Sequence, residues 1–180
     1  MLEKDIYEVI ISEQEIKKRI AEMGKKISNS YEADDDLIMV CILRGAVIFM
    51  ADLARNISLP VTFDFMDVSS YGQSTESGMI RIIKDLEENI EGRHVLIIED
   101  IIDTGKTIKH VLDMFATRNP ASIQIATLLD KPERRVEKEV EVDYNGFEIP
   151  DEFVVGYGLD FAEKYRNLPY IGILKKELYD

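Results

Sequence analysis

Runs of apolar residues alternate along the chain with segments in which apolar residues recur at helical intervals. Unbroken runs rich in branched side chains are typical of strands that are covered on both faces in a parallel sheet. Three runs have this character: Leu37–Leu43, His94–Ile98 and Ile123–Leu129. They predict three buried strands.

The first helix is predicted to begin at Ser12. Ser12 and Glu15 have the spacing of a capping box, and apolar residues follow at helical intervals. These residues are Ile16, Ile20, Met23 and Ile27. Two more helical patterns run from Ala46 to Ile57, before Pro60, and from about Thr107. Strands that alternate with helices predict an α/β fold with a parallel sheet and helices on both faces.

The remaining segments are shorter or more polar. Val61–Val68 alternates like a strand with one polar face, and Met79–Ile83 resumes strand character. Between them, Ser69–Gly78 is small, polar and glycine-containing, and predicts a long flexible loop. Strand-like pieces in the tail are Phe147–Ile149, Phe153–Tyr157 and Tyr170–Leu174.

Composition narrows the class of protein. A chain of 180 residues, 46% of them hydrophobic, predicts a single domain over residues 1–180. The net charge of −13 argues against a nucleic-acid partner and against an anionic membrane surface, since both require a basic face. The one cysteine, Cys41, lies in a predicted strand and is interpreted as a packed structural thiol. With no apolar run long enough to span a bilayer, we expect a soluble, cytoplasmic protein.

In parallel sheets, functional residues lie at the carboxyl ends of the strands. The segment after the second apolar run therefore tells most about the chemistry of this protein. Glu99 and Asp100 follow that run, and Asp103 opens a tight turn of small residues into a helix. Amide groups at a helix N-terminus, with the hydroxyls of Thr104 and Thr107, can bind an anion. An ordinary loop capped by Asp103 or Thr104 would account for one acid, but not for three. A Walker A loop does not fit either, because its leading glycine would fall at Asp100.

The turn and its flanking motifs resemble a known family. EDIIDTGKT after an apolar strand is similar to the phosphoribosyl-diphosphate motif of type I phosphoribosyltransferases, and the flanking motifs narrow the resemblance to hypoxanthine-guanine phosphoribosyltransferases. They are Leu43-Arg44-Gly45, Ser70-Tyr71, LLDKPERR from Leu128 and FEIPDEFVVGYGLDFAEKYRNLPYIG from Phe147. The resemblance runs in order from about Ile38 to Leu174. It implies a core over about residues 30–140 and a small hood from about 1–12 and 141–180.

The resemblance also implies a reaction. Ribose 5-phosphate would pass from 5-phosphoribosyl 1-diphosphate to N9 of hypoxanthine, and of guanine, giving IMP or GMP and diphosphate. Mg²⁺ is the implied cofactor, and a homodimer or homotetramer the implied assembly. An acidic protein would bind these polyanions through Mg²⁺ and aligned amide groups.

The resemblance assigns roles at the sugar phosphate. Asp103 is the implied general base at purine N7. Glu99 and Asp100 would bind the ribose hydroxyls, directly or through Mg²⁺. The implied 5′-phosphate loop consists of Asp103, Thr104, Gly105, Lys106 and Thr107.

The resemblance assigns diphosphate binding and the closure of the active site to other segments. Arg44 and Gly45 match the family's diphosphate loop, in which an unusual peptide conformation frees amides to face the leaving group. Members of the family often have Lys in place of Arg44. Arg166 would pair with the diphosphate, and Ser70 and Tyr71 would lie in a loop that closes over the reaction centre.

The purine would be bound by residues nearer the C-terminus. Lys131 would donate to the exocyclic O6, which disfavours adenine. Phe153 would stack on the base, and Val154 would offer backbone polar groups to its edge. Asp160 would lie near a second metal ion or the purine 2-position, so the implied metal ligands are Glu99, Asp100 and Asp160.

Two alternatives remain open at the level of the sequence. One is a phosphoribosyltransferase that prefers xanthine or another base, because Lys131 and Phe153 do not distinguish among 6-oxopurines. The other is a regulator on the same fold that senses phosphoribosyl diphosphate and binds nucleic acid. The net charge of −13 and the retained Asp103 oppose the second alternative.

Overall fold

A computed structural model describes residues 2–70 and 80–179. The helices are α1 (Glu13–Ser28), α2 (Val47–Ala54) and α3 (Lys106–Ala116). The strands are β1 (Ile6–Ile11), β2 (Leu37–Leu43), β3 (Thr62–Ser70), β4 (Ile80–Lys84), β5 (His94–Ile102), β6 (Ser122–Asp130), β7 (Tyr144–Glu148), β8 (Val154–Val155) and β9 (Ile171–Leu174).

The central sheet confirms the predicted α/β fold. Its strand order is β4-β3-β2-β5-β6-β7, and every neighbouring pair is parallel except β3 and β4. Helices α1 and α2 pack on one face and α3 on the other, so the buried strands have apolar contacts on both sides. Cys41 lies in β2 as a packed thiol, and burial raises its pKa to about 12.

Helix α1 begins as the capping-box prediction requires. Ser12 Oγ accepts a hydrogen bond from the backbone N–H of Glu15 at 3.3 Å, and Glu15 Oε2 accepts from the backbone N–H of Ser12 at 2.8 Å. All four predicted apolar residues of α1 are buried against the sheet. The predicted helix from Ala46 to Ile57 is too long, because α2 ends at Ala54 and its last turn tightens into bonds of 3₁₀ type.

Strand β5 also departs from its prediction. The expected strand ended at Ile98, with Glu99 and Asp100 in a turn, but β5 continues to Ile102. Its pairing with β6 continues to Ile102↔Asp130, which keeps the backbone extended. Glu99 and Asp100 are therefore held by the sheet itself.

The strand predicted at Val61–Val68 is present as β3, and its alternation places a charged side chain on the inner side. Asp64 is buried, at 3% exposure, whereas Phe63 and Phe65 are 49% and 37% exposed. The Asp64 carboxylate accepts hydrogen bonds from the backbone N–H groups of Glu87 and Glu88, both at 2.9 Å, which explains why a charged group lies inside.

The predicted loop from Ser69 begins later than expected. Ser69 and Ser70 pair with Arg81 and Ile80 of β4, so they belong to a strand. Tyr71 and the rest of the predicted loop up to Gly78 lie outside the described residues.

The two ends of the chain build a second sheet. Strand β9 pairs antiparallel with β1 and with β8, in the order β1-β9-β8. No helix in residues 2–70 or 80–179 is long and apolar enough to cross a membrane.

Candidate active site

The loop between β5 and α3 lies at the carboxyl end of the central sheet. Gly105 is the N-cap of α3 and has a φ of 83°, a conformation that side chains rarely adopt. The Thr104 carbonyl accepts from the N–H groups of Val136 and Glu137 at 2.9 and 3.1 Å. The loop is therefore fixed from outside while its own amides remain near the cavity.

A cavity of about 240 Å³ lies beside this loop. It brings together most of the residues predicted for the sugar phosphate: Glu99, Asp100, Asp103, Thr104, Gly105 and Thr107. Lys106 does not line it. Hydroxyls, amides and carboxylates in one small cavity suit a phosphorylated sugar better than an apolar ligand.

Glu99 and Asp100 are consecutive residues of β5, of which Glu99 is buried and Asp100 is half-buried. Burial, then the neighbouring charge of Asp100, raises the pKa of Glu99 well above its usual value. Burial raises the pKa of Asp100 to about 6, although the Arg166 charge acts in the opposite direction. Two desolvated carboxylates fit a hard divalent cation. Among the described residues, no group of three or more His, Cys, Asp or Glu side chains could hold a metal ion.

The turn after β2 lies directly on these acids. The peptide bond between Leu43 and Arg44 is cis. A Cβ added to Gly45 would collide with the Asp100 carboxylate, and one added to Gly158 would collide with the Gly45 carbonyl oxygen. The backbone at Gly45 is thus packed between the Asp100 carboxylate and the backbone at Gly158, with no room for a side chain at either glycine.

Arg166 lies at the same end of the molecule. Its Nη1 donates to the Gly158 carbonyl at 2.8 Å, and its Nη2 lies 2.9 Å from Asp160 Oδ1. The side chain of Arg44 is mostly exposed and pairs with Glu163 at 3.3 Å. Arg44, Asp160 and Arg166 are therefore grouped around the Gly45 turn rather than in the cavity beside α3.

A second, larger cavity of about 660 Å³ contains the residues predicted for the purine. Lys131, Phe153 and Val154 line it together with Asp103. Lys131 is buried, and its Nζ donates to the Glu152 carbonyl at 2.8 Å. Its backbone N–H donates to the Ile102 carbonyl at 2.9 Å, which fixes the residue beside the end of β5.

Asp103 joins the two cavities. Asp103 and Ile101 are the residues that line both of them. Asp103 Oδ1 is enclosed and, within the described part of the chain, accepts no well-aligned hydrogen bond, although Arg134 Nε lies 2.6 Å away as an ion-pair partner. The Asp103 side chain is 39% exposed overall, so its other carboxylate oxygen is the one that a ligand can reach.

Several residues of the second cavity were not assigned a role from the sequence. Tyr179 stacks on Phe153 with ring centroids 4.7 Å apart and planes at 23°. Arg134 and Asp151 also line the cavity. Arg135 lies beneath the loop, where it forms an ion pair with Asp130 and donates to the Asp103 carbonyl at 3.3 Å. The two arginines that end the motif LLDKPERR, three and four residues after Lys131, were the available signal.

An acidic loop that opens a helix at the carboxyl end of a parallel sheet, with a cavity on each side of it, is the arrangement expected of a phosphoribosyltransferase. Residues 7–162 match the family model described as phosphoribosyl transferase domain.

Relatives across the whole chain narrow the family. The hypoxanthine-guanine phosphoribosyltransferase of Bacillus subtilis is 51% identical over 100% of this chain and 99% of its own length. That of Streptococcus pneumoniae is 53% identical over 99% of both chains. A crystal structure of a hypoxanthine phosphoribosyltransferase from Staphylococcus aureus superposes with a TM-score of 0.95 at 47% identity, and covers 99% of this chain and 97% of that one. The chain belongs to the hypoxanthine-guanine phosphoribosyltransferase family.

Proposed function

We propose that the protein transfers ribose 5-phosphate from 5-phosphoribosyl 1-diphosphate to N9 of hypoxanthine, and of guanine, to give IMP or GMP and diphosphate. The observation that carries this proposal is the position of Asp103, at the junction of the two cavities. A transfer between a sugar phosphate and a purine has its reaction centre where the two ligands meet. The names of the relatives support the same reaction.

Asp103 is the proposed general base. As the bond from C1′ to N9 forms, a purine protonated at N7 must lose that proton, and a carboxylate at the junction can accept it. Oδ1 of Asp103 is enclosed beside Arg134, but the side chain as a whole is 39% exposed, so the other carboxylate oxygen is the acceptor we propose for a purine N–H. The transition state at C1′ resembles an oxocarbenium ion, as in glycoside cleavage.

The 5′-phosphate is proposed to bind at the loop that opens α3. The amides that follow Asp103 and the hydroxyls of Thr104 and Thr107 provide donors at a helix N-terminus. Lys106 begins α3 but does not line the cavity, so we expect its backbone N–H to contribute rather than its ammonium group.

The diphosphate is proposed to bind beside the Gly45 turn. Backbone groups of Arg44 and Gly45 and the guanidinium of Arg166 are the donors at that end of the site. Ser70, at the end of β3, and Tyr71 are proposed to close over the reaction centre.

Mg²⁺ is the proposed metal ion of this site. Glu99 and Asp100 are the ligands we propose, with Asp160 near a second ion or the purine 2-position. Mg²⁺ bound there would neutralise the charge that develops on the leaving diphosphate. The two carboxylates that line one cavity support this choice, because Mg²⁺ binds through a few carboxylates plus substrate oxygens.

The proposed purine site recognises the edge of the base that carries O6. Lys131 donates to O6, Phe153 stacks on the ring, and backbone groups of Val154 meet the far edge. A buried ammonium group that needs an acceptor disfavours adenine, which has an amino group at that position.

A panel of bases tests the proposal. Purified protein with Mg²⁺ and 5-phosphoribosyl 1-diphosphate is expected to convert hypoxanthine and guanine to nucleotides, and adenine at least about a hundredfold less efficiently. Faster turnover of xanthine than of hypoxanthine would support the xanthine-preferring alternative. We expect a homodimer or homotetramer by light scattering, and activity in the cytoplasm.

A further inference from the structure

Four charged side chains of alternating sign line one wall of the purine cavity. Lys131 Nζ lies 3.5 Å from Asp151 Oδ1. Both carboxylate oxygens of Asp151 accept from Arg134 Nη1, at 3.0 and 3.1 Å. Arg134 Nε in turn lies 2.6 Å from Asp103 Oδ1. We call this row the charge row: Lys131, Asp151, Arg134 and Asp103.

Lys131 and Asp103, at the two ends of the charge row, are the groups proposed to bind O6 and N7 of the purine. N7 and O6 are neighbours on one edge of a 6-oxopurine, so their acceptor and donor must lie at a matched separation. Lys131 is on the end of β6 and Asp103 on the loop after β5. Within the described residues, the side chains of Arg134 and Asp151 are the ones that connect these two groups by ion pairs.

Arg134 is chemically suited to this connection. A guanidinium is planar and has several N–H groups in a fixed arrangement, so it can pair with two carboxylates at once and hold their relative orientation. A lysine at this position could reach one carboxylate, but it would fix no angle between two.

We propose that Arg134 and Asp151 are positioning residues that set the spacing between the Lys131 donor and the Asp103 acceptor, and that they thereby determine selectivity for 6-oxopurines. This inference rests on the proposed function and assigns a role to residues that flank the reacting groups. Arg134 and Asp151 act through Asp103 and Lys131 rather than on the reacting atoms.

The exposure of the pair makes the proposal testable. Arg134 and Asp151 are each nearly half exposed, and ion pairs at such exposure contribute little to the free energy of folding. Their replacement should therefore leave the fold intact, so that changes in kinetics report on base binding.

The experiment compares Arg134→Gln, Asp151→Asn, their double variant and Arg134→Lys with the unmodified protein. Arg118→Gln is the matched control, because Arg118 pairs with Asp85 at 2.7 Å and lines neither cavity. Steady-state kinetics at saturating 5-phosphoribosyl 1-diphosphate give KM and kcat for hypoxanthine and adenine. Thermal melting confirms that each variant is folded.

Each single variant is expected to raise KM for hypoxanthine by about tenfold, with kcat within about threefold of the unmodified value. KM for 5-phosphoribosyl 1-diphosphate should not change, and the preference for hypoxanthine over adenine should fall. The double variant should be no worse than either single one, because the two residues act as a unit. Arg134→Lys should restore part of the loss, and Arg118→Gln should have no effect.

Other outcomes overturn the proposal. If the two single effects multiply in the double variant, the residues act independently. A lower KM in Arg134→Gln would identify Arg134 as a competitor for the base site. An unmodified enzyme that makes no IMP refutes the proposed function itself. An active enzyme in which Asp103→Asn is slow but Arg134→Gln is normal refutes the charge row alone.

Discussion

The carboxylate of Asp100 occupies the space that a side chain on Gly45 would need. The turn after β2 is therefore in direct contact with Asp100 of β5, and no other residue fits at position 45 without displacing that carboxylate. This contact connects the proposed diphosphate donors to the proposed metal ligands.

Gly45→Ala should lower kcat/KM for 5-phosphoribosyl 1-diphosphate by about a hundredfold or more, since it misplaces both groups. Steady-state kinetics with the base saturating would measure this. Gly92→Ala is the control, because a Cβ at Gly92 meets nothing within 4 Å, although its φ of 72° adds a backbone strain that Gly45 does not have. Equal losses in the two variants would show that glycine replacement, not the collision with Asp100, is responsible.

The buried charge of Asp100 should make stability depend on pH. Burial raises its pKa to about 6, so the folded protein binds more protons than the unfolded chain between about pH 4 and pH 6. The free energy of unfolding therefore falls as pH rises through this range. Asp100→Asn removes the cost, and should stabilise the metal-free protein by about 3 kcal/mol at pH 8 and by less than about 1 kcal/mol at pH 4. Urea unfolding with a chelator present measures both values, and a difference that grows towards acid would contradict the assignment.

Removal of the metal ion should abolish turnover. A chelator is expected to stop IMP formation, and Mg²⁺ to restore it. A binding measurement gives an independent readout: 5-phosphoribosyl 1-diphosphate should raise the melting temperature by several degrees with Mg²⁺ present and by much less without it. An equal rise in both conditions would mean that the substrate binds without the ion.

The stacking of Tyr179 on Phe153 should support base binding. Aromatic pairs contribute about 0.5–1.5 kcal/mol beyond buried area, so Tyr179→Ala should raise KM for hypoxanthine by about two- to tenfold. Tyr179→Phe keeps the ring and should behave like the unmodified enzyme. If Tyr179→Ala lowered KM instead, the ring would be in competition with the purine for the face of Phe153.

Local sequence patterns were sufficient to predict the helix and strands whose formation depends on residues close together in the sequence. The capping box at Ser12 and the apolar spacing after it predicted α1, because both act within a few residues. The continuous apolar runs predicted β2, β5 and β6 because both faces of these strands are covered.

Features that depend on distant partners were not predictable in this way. Strand β5 extends through Glu99 because β6 continues to pair with it, and Asp64 is buried because the amides of Glu87 and Glu88 lie beside it. The pairing of Arg134 with Asp103 joins residues 31 positions apart, and its signal in the sequence was only a pair of arginines after Lys131. Resemblance to a family selected candidate ligands, but it did not indicate which of their neighbours connect them.

The most direct test of the account is the conversion of hypoxanthine to IMP by the unmodified protein and by Asp103→Asn. Asp113→Asn is the control, since Asp113 pairs with Lys109 and lines neither cavity. We predict that the unmodified protein and the control form IMP at equal rates. In Asp103→Asn, kcat should fall by about a hundredfold or more while the Kd for IMP stays within about threefold. Undiminished kcat in Asp103→Asn would contradict the account, because the reaction would then proceed without the carboxylate at the junction of the two cavities.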